Sequence, residues 1–336
     1  MIAIRELLII VVMLAGLFCV VSQFLVNVTN VPSAPMVNSH RGVYRISLDF
    51  DERHMWVYRH REGIYRLELK TGEMIRSLPV QGMDLTAVAH SGDGSTTVVC
   101  GVDGTVIMDH DGEYPRVMRV GPPDDMIASV SDNGAVAACV MLRGRVHGWS
   151  RHESEVQEFS YDLAANSVIL QIFVNPSGRR MLVARSDGMV SFHVPETGDP
   201  DGSGMYVGPD CVAFAWSRDE RLCAVVTSNS EVRVYDVTTG RVVREGTIDG
   251  HIHYCPAGTL KISPDGRRLA ISTCLSTAIS VWDLKAGAAS GQCCGHGAMV
   301  RTLQFSSDSN RLFSGSHDGT VREWSLETCS QLRIVD

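Results

Sequence analysis

The sequence is short of aromatic residues, of proline and of positive charge. Aromatics make up 7% of the 336 residues and proline contributes 12, so a core must be built mainly from Val, Leu, Ile, Ala and Met. Lys and Arg number 30 against 38 Asp and Glu, a net charge of −8. That balance excludes a strongly basic nucleic-acid binder, and no nucleic-acid partner is expected. The 31 glycines follow no collagen period, and a hydrophobic share of 44% is too high for a disordered chain. There is no nucleophile elbow, phosphate loop, dinucleotide fingerprint or C-x-x-C pair. Of the 10 cysteines, Cys19 sits in an apolar run and the other nine are irregularly spaced. That is not a disulfide framework, and such thiol-rich usage fits a reducing compartment.

Long uncharged runs are absent except at one place. Residues 7–26, LLIIVVMLAGLFCVVSQFLV, are 20 residues with only Ser22 and Gln23 polar. As a helix they would be about 30 Å long, the thickness of a bilayer core. The expectation is a short tail (1–6), a transmembrane anchor (7–26) and a tether (27–40), ahead of a globular domain over 41–336. The alternative is a cleaved signal peptide with Arg5 as its basic residue. The tether carries no Lys or Arg, which favours a single-pass protein with its domain outside the cytoplasm, against the direction in which the cysteines point.

The rest of the chain repeats. A turn followed by an apolar run recurs as DFDERHMW (49–56), SGDGSTTV (91–98), SDNGAVAA (131–138), NPSGRRML (175–182), SRDERLCA (217–224), SPDGRRLA (263–270) and SSDSNRLF (306–313). The spacings are 42, 40, 44, 42, 46 and 43 residues. About a dozen residues after each turn comes an alternating strand, such as DGTVIMD or DGTVREW. Each unit reads as four short strands with period-2 alternation, and no helical stripe is visible. Four strands at this period form a propeller blade, and blades bury their faces only by stacking into a ring. The fold class is therefore all-β, a seven-bladed β-propeller of four-stranded blades preceded by one transmembrane helix. The last strand, SQLRIVD, is expected to complete its blade from the carboxy end.

The segment GHGAMVRTLQFSSDSNRLFSGSHDGTVREWSLETC (295–329) resembles a WD repeat along its length, and Trp282–Asp283 supplies a literal Trp–Asp pair. The resemblance implies a hydrogen-bonded structural tetrad of His296, Ser316 (or Ser314), Asp318 and Trp324. It fades toward the amino end, where the Trp position reads as Leu67, Met108, Trp149, His193, Tyr235 and Trp282 in turn. WD-repeat proteins are mostly interaction platforms. The resemblance thus implies a scaffold that binds a protein or peptide at the narrow end of the ring, with no catalysis and no cofactor.

Asp249, His251, His253 and Cys255 alternate along one segment and on a strand would share a face suited to a transition metal. The competing reading makes His251 the Gly–His histidine of its blade. Consecutive Ser316-His317-Asp318 cannot converge as a triad, and the loop DPDGSG (199–204) reads as a solvated connection rather than a calcium site. The alternative function is an extracytoplasmic enzyme or small-ligand binder using the central channel. That reading needs three or more ionisable groups to converge there. The inner strands AVAHS (87–91) and AFAWS (213–217) offer only His90.

Overall fold

A computed structural model describes residues 42–335, apart from 50, 60–61, 79, 81–82, 111–115, 122–125, 143, 153–154, 164–166, 249–259 and 274–275. The expected anchor and tether lie outside the described residues. Among the described residues no helix is long and apolar enough to cross a membrane.

The described chain is all strand and turn, organised as seven four-stranded antiparallel sheets. The blades span residues 43–78, 85–119, 126–162, 169–206, 211–247, 260–293 and 300–334. Each uses four strands consecutive in sequence. Burial grades outward within a blade. The second strands Thr96–Gly101 and Val136–Met141 are buried at every residue, whereas the outer strand Gln331–Ile334 is exposed throughout. This explains why second strands read as continuous apolar runs and outer strands as mixed ones.

The core consists of seven apolar clusters, one between each pair of adjacent blades. Aliphatic residues dominate most clusters, with a single buried aromatic in some, such as Trp149 and Trp282, and up to four in the cluster between blades 4 and 5. Burying each Val, Leu or Ile contributes roughly 1.5–3 kcal/mol, so the stacking faces hold the ring together. Ring closure uses the same device. Val43, Ile46 and Met55 of blade 1 pack against Phe313 and Val321 of blade 7. Among the described residues no strand is exchanged: the carboxy-terminal strand stays in blade 7, as expected from SQLRIVD. Ile46 N–H donates to Thr302 Oγ1 across the seam at 3.2 Å. Arg311 bonds Glu52 of blade 1 and, at 2.8 Å, Glu323 of its own blade.

The recurring turn has a chemical basis. Ser91, Ser217, Ser263 and Ser306 each donate through Oγ to the Asp two residues on at 2.6 Å, and accept the N–H five residues on at 2.8–2.9 Å. Ser131 does the same with Asn133. The hydroxyl thus closes the hairpin between inner and second strands. The fourth turn residue has positive φ in every blade, and it is glycine in four of them: Gly94, Gly134, Gly178 and Gly266. The other three are Glu52 (φ 53°), Glu220 (φ 61°) and Ser309 (φ 61°). A side chain there costs about 1 kcal/mol. In each case it reaches the preceding blade. Glu52 accepts from Ser307 N–H at 2.7 Å, Glu220 accepts from Asn175 Nδ2 at 2.7 Å, and Ser309 Oγ accepts from Asp265 N–H at 3.1 Å. The strain is offset by a latch between blades.

Candidate functional site

Two polar constellations stand out, one inside blade 7 and one on the ring axis. In blade 7, His296 Nδ1 lies 2.8 Å from Asp318 Oδ2 and its Nε2 lies 2.7 Å from Ser314 Oγ. Trp324 Nε1 donates to the same Ser314 Oγ at 2.7 Å. Every group is satisfied if Nδ1–H donates to Asp318, Ser314 O–H donates to Nε2, and Ser314 Oγ accepts the indole N–H. Burial alone would raise the Asp318 pKa. Bonds from His296, Thr320 and the Gly297 and Thr320 N–H groups outweigh it and hold the carboxyl well below the usual range.

The serine in this network is Ser314, which corrects the first choice of Ser316. Trp324 pairs opposite Leu312 on the second strand. Ser314 lies two residues along on the same face, about 7 Å away, and Ser316 about 13 Å away, beyond reach of the indole. Ser316 Oγ instead donates to Ala298 O at 3.0 Å.

The family's Trp position can be located in every blade as the third-strand residue opposite the sixth residue after the turn serine or its equivalent. Leu67, Trp149, His193, Tyr235, Trp282 and Trp324 all occupy it. In blade 2 the occupant is Asp109, opposite Thr97, and not Met108. One residue of register turns the side chain to the other face. Met108 therefore packs toward blade 3, whereas buried Asp109 accepts from Arg76 Nη2 of blade 1 at 2.6 Å. Aligning DGTVIMD on DGTVREW residue by residue would have found it. His193 is bonded to Ser191 Oγ and Gly198 O, at 2.8 and 2.9 Å, a local substitute for the tetrad.

The four metal candidates Asp249, His251, His253 and Cys255 lie outside the described residues. A different group, Asp49, Asp51 and His54, places its ligand atoms within 4.8 Å of one another. Its Asp49 is already bonded by the Arg66 guanidinium, which also lies 3.3 Å from His54 Nδ1, so an ion pair accounts for it. Asp201 of the 199–204 loop is held by Arg180 Nε at 2.5 Å.

On the axis, the end of the channel beside the first turns opens into a cavity of about 290 Å³. Each blade contributes a polar side chain to its wall: Arg45, His90, Asp132, Gln171, Arg218, Lys261 and Gln304. The channel is therefore richer in ionisable groups than AVAHS and AFAWS indicated, because Arg45, Asp132, Arg218 and Lys261 lie outside those two strings. His90 stacks on Trp56 with centroids 5.2 Å apart and bonds Thr97 Oγ1 at 2.9 Å. Burial, reinforced by Arg45 and Arg66, pushes its pKa down to about 3. Asp132 is paired with Arg218 at 3.1 Å, and Asp49, also on the wall, with Arg66. Burial and the neighbouring Arg45 lower Lys261 to about 8, with Asp132 opposing.

A family model described as "WD domain, G-beta repeat" matches residues 289–325, which contain Ser314, Asp318 and Trp324. The guanine nucleotide-binding protein subunit beta-1 of Nicotiana tabacum is 29% identical over 172 residues, 48% of this chain and 45% of that protein. Protein groucho of Drosophila melanogaster is 32% identical over 120 residues, 35% of this chain and 16% of that protein. The chain thus spans less than half the length of these curated relatives. Among solved structures, the β-propeller domain of Cps50 (Swd1) from Myceliophteria thermophila superposes with a TM-score of 0.70 at 14% identity, covering 85% of this chain and 97% of that one.

Proposed function

From the premise that this chain is a WD-repeat β-propeller, we propose that it is a membrane-tethered, non-catalytic interaction scaffold for a protein partner. The observation that carries the reading is where the rigid ring leaves large apolar side chains in water. Met74 and Ile75 on the outer strand of blade 1 are 64% and 50% exposed, and Leu332 and Ile334 on that of blade 7 are 53% and 52% exposed. These two blades are neighbours at the seam, where Arg333 Nη1 donates to Leu69 O at 3.0 Å. Apolar exposure on a pre-organised rim suits recognition, and the outer strands of blades 2, 4 and 5 share it through Val117, Tyr206, Val242 and Val243. It moves the expected docking surface from the narrow end to the rim. The membrane part of the reading rests on the uncharged run 7–26, which would concentrate the ring near other membrane-bound proteins. The basic-free tether favours the extracytoplasmic side.

The full-length chain, solubilised in mild detergent, serves as bait against a detergent extract of its native cell. A bait carrying Leu332→Glu and Ile334→Glu runs in parallel, both positions being exposed and outside the core. One protein recovered near stoichiometry by the first bait and lost from the second supports the proposal. Equal recovery by both baits, or none by a folded wild-type bait, counts against it. Carbonate extraction of native membranes tests the anchor: release of the chain into the supernatant contradicts it.

A further inference from the structure

The channel cations do not follow from a scaffold whose partner sits on the rim. The protein carries a net charge of −8, yet the cavity wall draws Arg45 from blade 1, Arg218 from blade 5 and Lys261 from blade 6 to one narrow space. The two wall carboxylates are each engaged: Asp132 pairs with Arg218 at 3.1 Å, and Asp49 bonds Arg66. Burial pushes both carboxyls toward their neutral forms. Lys261 forms no hydrogen bond or ion pair among the described residues; Arg45 repels it, and the attraction of Asp132, itself paired with Arg218, offsets that repulsion only in part. Concentrating like charges inside a low-dielectric ring costs stability. The amides of Gln171 and Gln304 on the same wall add neutral donors.

We propose that this end of the channel is a binding site for a small free polyanion, a compact molecule bearing several phosphate or carboxylate groups, held between Arg45 and Lys261. The cavity of about 290 Å³ is at the small end of ligand pockets. It accommodates such a molecule and not a folded chain. Seven walls of packed strands pre-organise the cations, so little ordering cost opposes binding. The ligand would neutralise the repulsion between Arg45 and Lys261. The same substitution should therefore weaken binding and leave the free protein no less stable, a pairing that a purely structural lysine would not give.

The test is titration calorimetry on the full-length chain in detergent at low ionic strength. Sodium tripolyphosphate is the phosphate probe and tricarballylate the carboxylate probe, with hexaglutamate as a chain-borne control. One saturable site is expected for at least one of the two small probes. Lys261→Gln and Arg45→Gln should each weaken it by about tenfold or more, since charged contacts in a confined site contribute at least that much. Lys261→Arg should bind within a few-fold of wild type. Arg241→Gln, on an exposed outer strand, should leave binding unchanged. Melting curves without probe should place Lys261→Gln at or above wild type. If Lys261→Gln melts early, Lys261→Met, which keeps the aliphatic stem, replaces it with the same expected loss of affinity. Absence of saturable binding up to about 10 mM, weaker than ligand sites are normally found, would overturn the proposal. So would equal weakening by Arg241→Gln, or tight binding of hexaglutamate with none of either small probe.

Discussion

Removing the Ser314 hydroxyl is the sharpest perturbation available in blade 7. Ser314 is fully buried and meets two rings at once, His296 Nε2 and Trp324 Nε1, each at 2.7 Å. In Ser314→Ala the indole N–H loses its acceptor and the imidazole Nε2 its donor. An orphaned buried polar group costs about 1–3 kcal/mol, so the pair predicts a loss of about 2–6 kcal/mol. Ser316→Ala removes the bond to Ala298 O and the acceptor of the Asp318 N–H, an expected loss of about 1–2 kcal/mol. At about 2 °C per kcal/mol for a chain of this size, thermal scans of the full-length protein should separate the two variants by several degrees. Trp324→Phe should cost less in the Ser314→Ala background than in wild type, because its donor is then already unpaired. A Ser316→Ala loss equal to or larger than that of Ser314→Ala would refute the assignment.

Three further outcomes follow from the same geometry. The Asp318 carboxyl is depressed in the folded state, so its stabilisation is present above the unfolded value of about 3.9 and lost as pH falls below it. The melting difference between wild type and Asp318→Asn should therefore be constant above about pH 5 and shrink below about pH 4. His90 is lowered to about 3 by burial, Arg45 and Arg66; the unfolded chain takes up its proton near pH 6.5, so stability falls as pH drops from about 6.5 toward 3, and His90→Gln should flatten that slope in pH-resolved melts. Glu220 combines a left-handed backbone with a bond to Asn175, so Glu220→Ala, which keeps the strain and loses the latch, should cost about 1–2 kcal/mol in urea titrations, whereas Glu220→Gly should stay within about 1 kcal/mol of wild type.

What was legible in the sequence was what local chemistry writes. Six of the seven turns were readable because a serine or asparagine hydrogen-bonds its own hairpin, leaving an S-x-D, S-x-N or N-x-x-G trace; the first, DFDE from Asp49, was readable from its spacing to the others. The outer strand of the last blade was readable as SQLRIVD and contains the observed Gln331–Ile334. What failed was register and distance. Met108 and Asp109 differ by one residue but face different blades, and Ser314 and Ser316 share a face but stand about 7 Å apart along it. The latches from Glu52, Glu220 and Ser309 join residues far apart in sequence, so nothing local announces them. The channel charge was missed for the same reason, since Arg45 and Lys261 meet only when the ring closes.

The most direct test of the central claim, a closed ring of seven blades, is amide hydrogen exchange on the full-length chain. Buried second strands of all seven blades, including His54–Arg59 and Arg311–Ser316 on either side of the seam, should show uniformly slow exchange, with faster exchange in the outer strands. Blade 1 or blade 7 exchanging its second strand far ahead of the other six would contradict a ring closed by the packing of Val43, Ile46 and Met55 on Phe313 and Val321.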